Sequence, residues 1–216
     1  MTDSVSVVLI SRTLEEARRA SERLPPGADE VLLATNPRGI PSVHPAVMRN
    51  RGAEHATGSI LAFFDDDCSI EGDLRWFKGR SEAWWTAQSF RDATGDGASA
   101  RACAFSTAAA RHGIWFGAIG AFMVFRRSAF WAVGGFPVVA PGEDTGIARR
   151  LYRLGLRMHP SPFRVTFHRP VTTLGPAIRR APDWLRFPQP ETVPILRQVP
   201  RQPSGTQQPS PVVSAK

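Results

Sequence analysis

The sequence is poor in cysteine and lysine and has no long apolar run, and each shortage excludes a class of protein. Its two cysteines, Cys68 and Cys103, form no CxxC pair and are too few for a disulfide framework, so we expect a reducing compartment. No stretch reaches the roughly 18 apolar residues that a membrane span requires. The opening MTDSVSVVLIS has an early acid and only a short apolar run, which favours a strand over a signal peptide.

The chain is strongly basic, and nearly all of its positive charge is arginine. Lys78 and Lys216 are the only lysines among 27 lysine and arginine residues, and the formal net charge is +8. This balance suits an anionic partner such as a nucleotide diphosphate, a phospholipid head group or a nucleic acid. Nucleic acid is disfavoured, because the arginines are scattered along helices and a tail and the aromatic residues are typical of a core.

The composition changes after residue 171. The remainder of the chain holds nine of the 19 prolines and a net charge of +4. We therefore expect residues 1–170 to form one domain and residues 171–187 to be an extension. Residues 188–216, rich in proline, glutamine and serine, are expected to be a disordered tail.

Alternating strand and helix patterns in the first third of the chain predict an α/β fold. The runs VSVVLI, DEVLLATN and SILAFF read as buried strands, and TLEEARRASERL and RNRGAEHATG between them read as helices. This order is typical of a mainly parallel sheet flanked by helices. Ligands of such sheets bind beyond the carboxyl ends of the strands.

The second half of the predicted domain continues this pattern. Trp76, Phe77, Trp84 and Trp85 recur at helical spacing, and we assign them to the core rather than to a ligand-stacking surface. AIGAFMVFRR reads as a strand, and SAFWAVGGF reads as a short helix stopped by paired glycines. GEDTGIARRLYRLG is amphipathic and predicts a helix, and FRVTFH predicts a last strand.

Three adjacent aspartates stand where a ligand of this sheet would bind. Asp65, Asp66 and Asp67 directly follow the apolar run SILAFF. Adjacent carboxylates repel one another, and a bound cation relieves that repulsion. If strand alternation continues, Asp65 and Asp67 lie on one side and can hold Mg²⁺ or Mn²⁺ shared with a diphosphate. A solvated acidic turn is the alternative interpretation.

Two further motifs carry polar side chains at the ends of predicted elements. Glu143 and Asp144 begin the helix GEDTGIARRLYRLG, and His168 ends the last predicted strand. Carboxylates at a helix start commonly cap free N–H groups. The alternative is that one of them is a general base aimed at a substrate hydroxyl. His168 is either structural or a third metal ligand beside the acidic motifs.

Five segments occur in one order along roughly residues 5–170: VSVVLIS, MRNRGAEHATGSILAFFDDD, GAFMVFRRSAFWAVGGF, GEDTGIARRLYRLGLR and VTFH. This order resembles that of family 2 glycosyltransferases, and segments 49–67 and 120–156 are its most specific parts. The resemblance implies a GT-A fold with a Rossmann-like sheet. It also implies an inverting transfer of a sugar from a nucleotide-diphosphate sugar to an acceptor hydroxyl.

The resemblance implies roles for individual residues. Asp144 matches the catalytic base, and Glu143 would help to orient the acceptor. The residues expected to bind the donor are Ser11, Arg12, Arg49, Asn50, Asp65 and Asp66. Mn²⁺ or Mg²⁺ would be held by Asp67, Asp65 and His168. Trp115, in the variable loop before the strand AIGAFMVFRR, is a candidate acceptor contact.

Departures from the family pattern refine these expectations. In the family an acidic turn after the second strand helps to hold the nucleotide base, but no acidic residue follows LLATN here. The resemblance therefore does not predict which nucleotide base is preferred. No QxxRW motif follows Asp144, which argues against a processive polysaccharide synthase. A sugar-nucleotide pyrophosphorylase is disfavoured, because no glycine-rich loop follows VVLIS.

We therefore expect a metal-dependent, non-processive glycosyltransferase of the hexosyltransferase type, serving cell-envelope or glycan biosynthesis. Its acceptor would be a glycan, a lipid or a small molecule. We expect it to be cytoplasmic, with a peripheral contact between its basic tail and anionic lipid at the inner face of the membrane. The alternative is a catalytically degenerate GT-A module that binds nucleotide or a protein partner without transferring sugar.

Overall fold

The computed structural model describes residues 2–36, 43–93, 108, 120–139, 142–168 and 193–198. The strands are β1 Val5–Ser11, β2 Glu30–Thr35, β3 Ile60–Asp65, β4 Cys68–Glu71, β5 Trp84–Asp92, β6 Phe122–Arg126, β7 Met158–Phe167 and β8 Ile195–Gln198. The helices are α1 Leu14–Ser21, α2 Pro45–His55, α3 Arg127–Ala132 and α4 Glu143–Arg153, with a 3₁₀ helix at Leu74–Phe77. No helix in the described part of the chain is long and apolar enough to cross a bilayer.

The strands form one mixed sheet in the order β4-β7-β5-β6-β3-β1-β2-β8. β1 pairs in parallel with both β2 and β3, and β5 pairs in parallel with β7, while the other four neighbouring pairs are antiparallel. The α/β class is confirmed, but the sheet is mixed rather than mainly parallel, and its parallel pairs are the two made by β1 and the pair β5–β7. Apolar runs indicate that a strand is buried on both faces, and they do not indicate its direction.

The central strand β1 is covered on both faces, as its continuous apolar run predicts. Val5, Val7 and Leu9 belong to the core on one side of the sheet, together with residues of α1. Val8 and Ile10 belong to the core on the other side, together with residues of α2, α3 and α4. Because successive side chains of a strand point to opposite faces, one strand serves both cores.

The aromatic residues between β4 and β5 lie in the core, although not on one helix. Phe77 and Trp85 are buried in one core with Trp76 packed against it, and Trp84 is buried in the core on the other face of the sheet. Phe77 belongs to the 3₁₀ helix, whereas Trp84 and Trp85 begin β5. The helical spacing in this segment is therefore coincidental, because pairing with β6 and β7 holds the second half as a strand.

The C-terminal segment contributes an edge strand. β8 pairs antiparallel with β2, and Val193 just before it is buried. Arg197 of β8 lies 3.5 Å from the buried carboxylate of Glu30. The expectation of disorder is therefore wrong for residues 193–198, and the rest of the expected tail lies outside the described residues. The sequence did not predict this strand, because the short apolar run VPIL lies within a mostly polar segment.

Candidate active site

The aspartate motif lies at the carboxyl end of β3, beside the end of β1. β3 ends at Asp65, and Asp66 and Asp67 form the turn to β4, so strand alternation does not continue through the motif. The Ser11 hydroxyl donates a hydrogen bond of 2.6 Å to Oδ2 of Asp66. Two residues that were predicted to bind the same ligand therefore lie together, because the parallel strands β1 and β3 end side by side.

A basic residue that sequence reasoning missed also contacts this turn. Nη2 of Arg23, just after α1, donates a hydrogen bond of 2.6 Å to the main-chain carbonyl of Asp66. Arg12, which was predicted to bind the donor, is exposed next to Ser11. Arg23 thus brings a cation against the aspartate turn. Nothing in the sequence distinguishes Arg23 from the other arginines of the chain, because the contact spans 43 positions.

Asp67 and His168 are brought together by their backbones. The N–H of His168 donates to the carbonyl of Asp67 at 2.8 Å. The two residues meet because Cys68, which follows Asp67, pairs with Phe167, which precedes His168, in the antiparallel ladder of β4 and β7. The Cys68 thiol donates a longer hydrogen bond of 3.3 Å to Oδ1 of Asp67. Burial and the neighbouring Asp67 raise the pKa of Cys68, which keeps it a neutral donor.

The predicted set of three metal ligands is not assembled in this structure. Within the described residues, no three histidine, cysteine, aspartate or glutamate side chains lie in a metal-binding cluster. Asp65 has another partner, whereas Asp67 is partly exposed and His168 is exposed. The Asp67 carboxylate fits a divalent ion that takes its remaining ligands from water and a diphosphate, as Mg²⁺ usually does, whereas the His168 imidazole suits a transition-metal ion better than Mg²⁺.

Arg49, on α2, is buried beneath both acidic motifs. Its Nη2 contacts Oδ1 of Asp65 at 2.7 Å, and its Nη1 contacts Oε1 of Glu143 at 2.9 Å. The Arg49 side chain is only 2% exposed, and its guanidinium lies 5.2 Å from the centre of the Phe136 ring. Arg49 was predicted to bind the donor, but its side chain is enclosed by protein groups.

Two neighbours of Arg49 fix the segment that leads into α4. The Asn50 amide donates to the carbonyl of Phe136 at 2.8 Å and accepts from its N–H at 2.9 Å. Asn50 was predicted to bind the donor, but in this structure its side-chain amide is engaged by the backbone of Phe136. His44 caps α2 by accepting from Ala46, and its Nε2 lies 3.1 Å from the carbonyl of Val139.

His44 is a neutral histidine with an assignable tautomer. Its Nδ1 accepts the N–H of Ala46, so its Nε2 carries the proton that the Val139 carbonyl requires. Burial lowers the pKa of His44, which favours this neutral form. His44 and Asn50 thus hold the chain before Glu143 from the same helix that supplies Arg49.

The Asp144 carboxylate is held by two backbone donors. The N–H of Thr145 donates to Oδ1 at 2.7 Å, and the N–H of Gly120 donates to Oδ2 at 3.0 Å. Burial raises the pKa of Asp144 to about 6, and the adjacent charge of Glu143 adds to this rise. The two N–H donors and Arg49 act in the opposite direction. Asp144 is thus a fixed carboxylate that exchanges its proton near neutral pH.

Gly120 is a second residue that the sequence did not single out. Its N–H binds Asp144, and its carbonyl lies 3.4 Å from Nη2 of Arg49. A Cβ atom at this position would stand 2.7 Å from the same Nη2. Gly120 is therefore required by the close approach of the arginine. Trp115 lies outside the described residues.

The sequence matches no protein family model and no curated protein sequence. Several solved structures have the same fold. One is glucosyl-3-phosphoglycerate synthase from Mycobacterium tuberculosis, with a TM-score of 0.54 and 17% identity over 85% of this chain and 78% of that chain. That enzyme was solved with Mn²⁺, UDP-glucose and phosphoglyceric acid.

A second structure is a mannosyltransferase from Pyrobaculum calidifontis, solved with GDP-mannose and Mn²⁺. Its TM-score is 0.51 at 16% identity, over 80% of this chain and 59% of that chain. This chain thus spans less than two thirds of that mannosyltransferase. The likeness identifies the architecture as the GT-A fold of glycosyltransferases, as the sequence resemblance implied.

Proposed function

We propose that this chain is an inverting glycosyltransferase that moves a sugar from a nucleotide-diphosphate sugar to an acceptor hydroxyl. The observation that carries the proposal is the Asp144 carboxylate, which is fixed by Gly120 and Thr145 and has a raised pKa of about 6. A general base works best when its pKa lies near the working pH. At pH 7 and above, Asp144 is mostly ionised and can accept the hydroxyl proton.

The donor would bind at the strand ends that carry Ser11, Asp66, Asp67 and His168. In this proposal Asp67 and His168 would hold Mn²⁺ or Mg²⁺, and the bound ion would supply positive charge that stabilises the nucleotide-diphosphate leaving group. Ser11 and Asp66, joined by a hydrogen bond of 2.6 Å, are placed to contact the nucleotide or its sugar. Asp65 is paired with Arg49 at 2.7 Å and is therefore not assigned to the metal in this proposal.

The reaction then needs one proton transfer by the protein. Asp144 takes the proton of the acceptor hydroxyl as its oxygen attacks the anomeric carbon. The bond from that carbon to the diphosphate oxygen breaks on the opposite face, which inverts the configuration. We further propose that transfer is non-processive, with one linkage made each time an acceptor binds, because no QxxRW motif follows Asp144.

The test compares donor turnover with donor binding in the full chain. UDP-glucose and GDP-mannose serve as probes, and release of the nucleotide diphosphate with water as acceptor measures turnover. Asp144→Asn keeps the side-chain shape and removes the base, so turnover should fall by about 100-fold or more. The dissociation constant of UDP or GDP with Mn²⁺ should change less than about threefold, a small free-energy difference.

Glu54→Gln is the matched control, because it replaces an exposed carboxylate on α2 by an amide away from the site. It should leave turnover unchanged. If Asp144→Asn weakens nucleotide binding as much as it slows turnover, Asp144 is a binding residue and not the base. If wild-type protein binds nucleotide and Mn²⁺ but releases no sugar to water or to an alcohol panel, the degenerate binding module is favoured instead.

A further inference from the structure

We propose that Arg49 is a positioning residue that does not contact the donor and holds Asp65 and Glu143 in one fixed arrangement. This assignment concerns the same site as the proposed transfer, and its mechanistic consequence rests on that function. The contacts by which Arg49 holds Asp65 and Glu143 do not depend on that function. Glu143 and Arg49 are 94 positions apart in the chain, and Asp65 and Arg49 are 16 apart.

The first argument is geometric. Arg49 contacts one carboxylate with each terminal nitrogen, at 2.7 Å to Asp65 and 2.9 Å to Glu143. Asp65 ends β3, and Glu143 begins α4, so the guanidinium connects the two elements that carry the acidic motifs. The planar guanidinium presents several N–H donors in a rigid fork, whereas an ammonium group is a single point of charge.

The second argument is enclosure. The Arg49 side chain is 2% exposed, Phe136 lies against one part of the guanidinium, and Gly120 leaves room for Nη2. Such a side chain has no surface to offer to a nucleotide. A buried charge of this kind is tolerated only when it is paired, and Asp65 and Glu143 supply that pairing.

The third argument is electrostatic. Burial alone would lower the pKa of Arg49, but the charges of Asp65 and Glu143 outweigh it and keep the guanidinium charged. The charged groups that act on Asp144 are Glu143 on its own helix, which raises its pKa, and Arg49 on α2, which lowers it. Among the described residues, Asp65 at the end of β3 and the neutral His44 before α2 also lie around this ion pair.

A positioning role therefore changes the proton affinity of Asp144 as well as its geometry. Removing the Arg49 charge should raise the pKa of Asp144, and removing the Glu143 charge should lower it. Because the two variants should shift the Asp144 pKa in opposite directions, together they distinguish this role from a general loss of structure. A residue that only fills space would move neither value in a defined direction.

The experiment follows the carboxyl carbon of Asp144 by ¹³C NMR as the pH is changed, with the signal assigned through Asp144→Asn. In Arg49→Met the pKa of Asp144 should rise by about one pH unit or more, as expected when a nearby opposite charge is removed. In Glu143→Gln it should fall. Arg51→Met, which removes a partly exposed arginine of the same helix paired only locally with Glu54, should leave it unchanged.

Arg49→Lys keeps the charge and removes the fork, so it serves if Arg49→Met does not fold. The pKa of Asp144 should then stay within about half a pH unit of its wild-type value, while donor turnover falls tenfold or more. The tenfold loss should not add to that of Glu143→Gln, because both changes break the same contact. Fully additive losses would mean that Arg49 and Glu143 act independently of each other, and would overturn the proposal.

An unchanged Asp144 pKa in both Arg49→Met and Glu143→Gln would also overturn it. A chain that turns over no donor would refute the proposed function and leave the NMR comparison intact. The two failures are therefore distinguishable, because the titration requires neither nucleotide nor metal.

Discussion

Arg49 and Asp144 both contact the backbone of one residue, Gly120. The Gly120 N–H donates to Oδ2 of Asp144 at 3.0 Å, and the Gly120 carbonyl lies 3.4 Å from Nη2 of Arg49. Because Arg49 also contacts Asp65 and Glu143, one buried cation and one glycine connect the ends of the two acidic motifs. This network explains how motifs far apart in the sequence form one site.

We predict that Gly120→Ala disturbs this network. The added Cβ would lie 2.7 Å from Nη2 of Arg49, which is closer than carbon and nitrogen normally approach. The guanidinium must then move away from Asp65 or Glu143, and the free energy of unfolding should fall by about 1–3 kcal/mol. Urea-induced unfolding of the variant and the wild type measures the difference.

An Arg49→Ala background provides the control for this substitution. If the arginine is the cause, Gly120→Ala should cost less than about 0.5 kcal/mol there, because the colliding atom is absent. An equal cost in both backgrounds would show that the glycine is needed for another reason.

The raised pKa of Asp144 predicts a defined pH dependence of stability. Folding raises the pKa of this carboxyl from 3.8 to about 6, so the folded state disfavours its ionisation. As the pH rises from 4 to 7, the wild type should lose about 2–3 kcal/mol of unfolding free energy relative to Asp144→Asn. Urea unfolding at four pH values in this range measures the difference between the two proteins.

The comparison with Asp144→Asn removes the contributions of carboxyls that do not interact with Asp144, since these titrate alike in both proteins, and leaves those of Asp144 and its neighbour Glu143. Asp144→Asn also changes two hydrogen bonds, but that effect is constant with pH. A difference that stays flat between pH 4 and pH 7 would mean that Asp144 ionises normally and is a capping residue only.

The C-terminal strand predicts where the chain can be shortened. Deletion of residues 199–216 keeps β8, and the melting temperature should stay within about 2 °C of the wild type. Deletion of residues 193–216 exposes the edge of β2, removes the buried Val193 and leaves Glu30 without Arg197. That deletion should lower the melting temperature by roughly 3–10 °C.

Glu30→Gln tests the electrostatic part of this expectation. Oε1 of Glu30 accepts hydrogen bonds from Thr57, whereas its buried Oε2 has Arg197 as its nearby cation. Neutralising the carboxyl should therefore recover part of the stability lost in the longer deletion. If Glu30→Gln has the same effect with and without β8, Arg197 contributes nothing to the docking of the strand.

Much of the fold could be predicted because burial leaves a pattern in the sequence. The continuous apolar run of VSVVLIS gave β1, and the amphipathic repeat after Glu143 gave α4. The paired glycines after α3 have positive φ angles of 75° at Gly134 and 68° at Gly135, as a helix stop requires. Strand direction and β8 were missed, since both depend on partners distant in the chain.

The site could be predicted only in part. Position at a strand end singled out Asp66 and Asp67, because ligands of such sheets bind beyond the strand ends, whereas Asp144 was singled out at the start of a predicted helix. The burial of Arg49 was not predictable, because a buried and an exposed arginine look alike until the partners are known. Gly120 and Arg23 carried no local signal, since each acts through contacts made across the fold.

The most direct test of the account is calorimetric titration of UDP, GDP and dTDP into the full chain, with and without Mn²⁺. Wild type and Asp67→Ala are compared, with Asp73→Ala, an aspartate at the start of the 3₁₀ helix, as control. The account predicts that one nucleotide binds wild type and Asp73→Ala only with Mn²⁺, and that Asp67→Ala loses this metal dependence. Binding that does not respond to metal, or no binding of any of the three nucleotides to wild type, would contradict it.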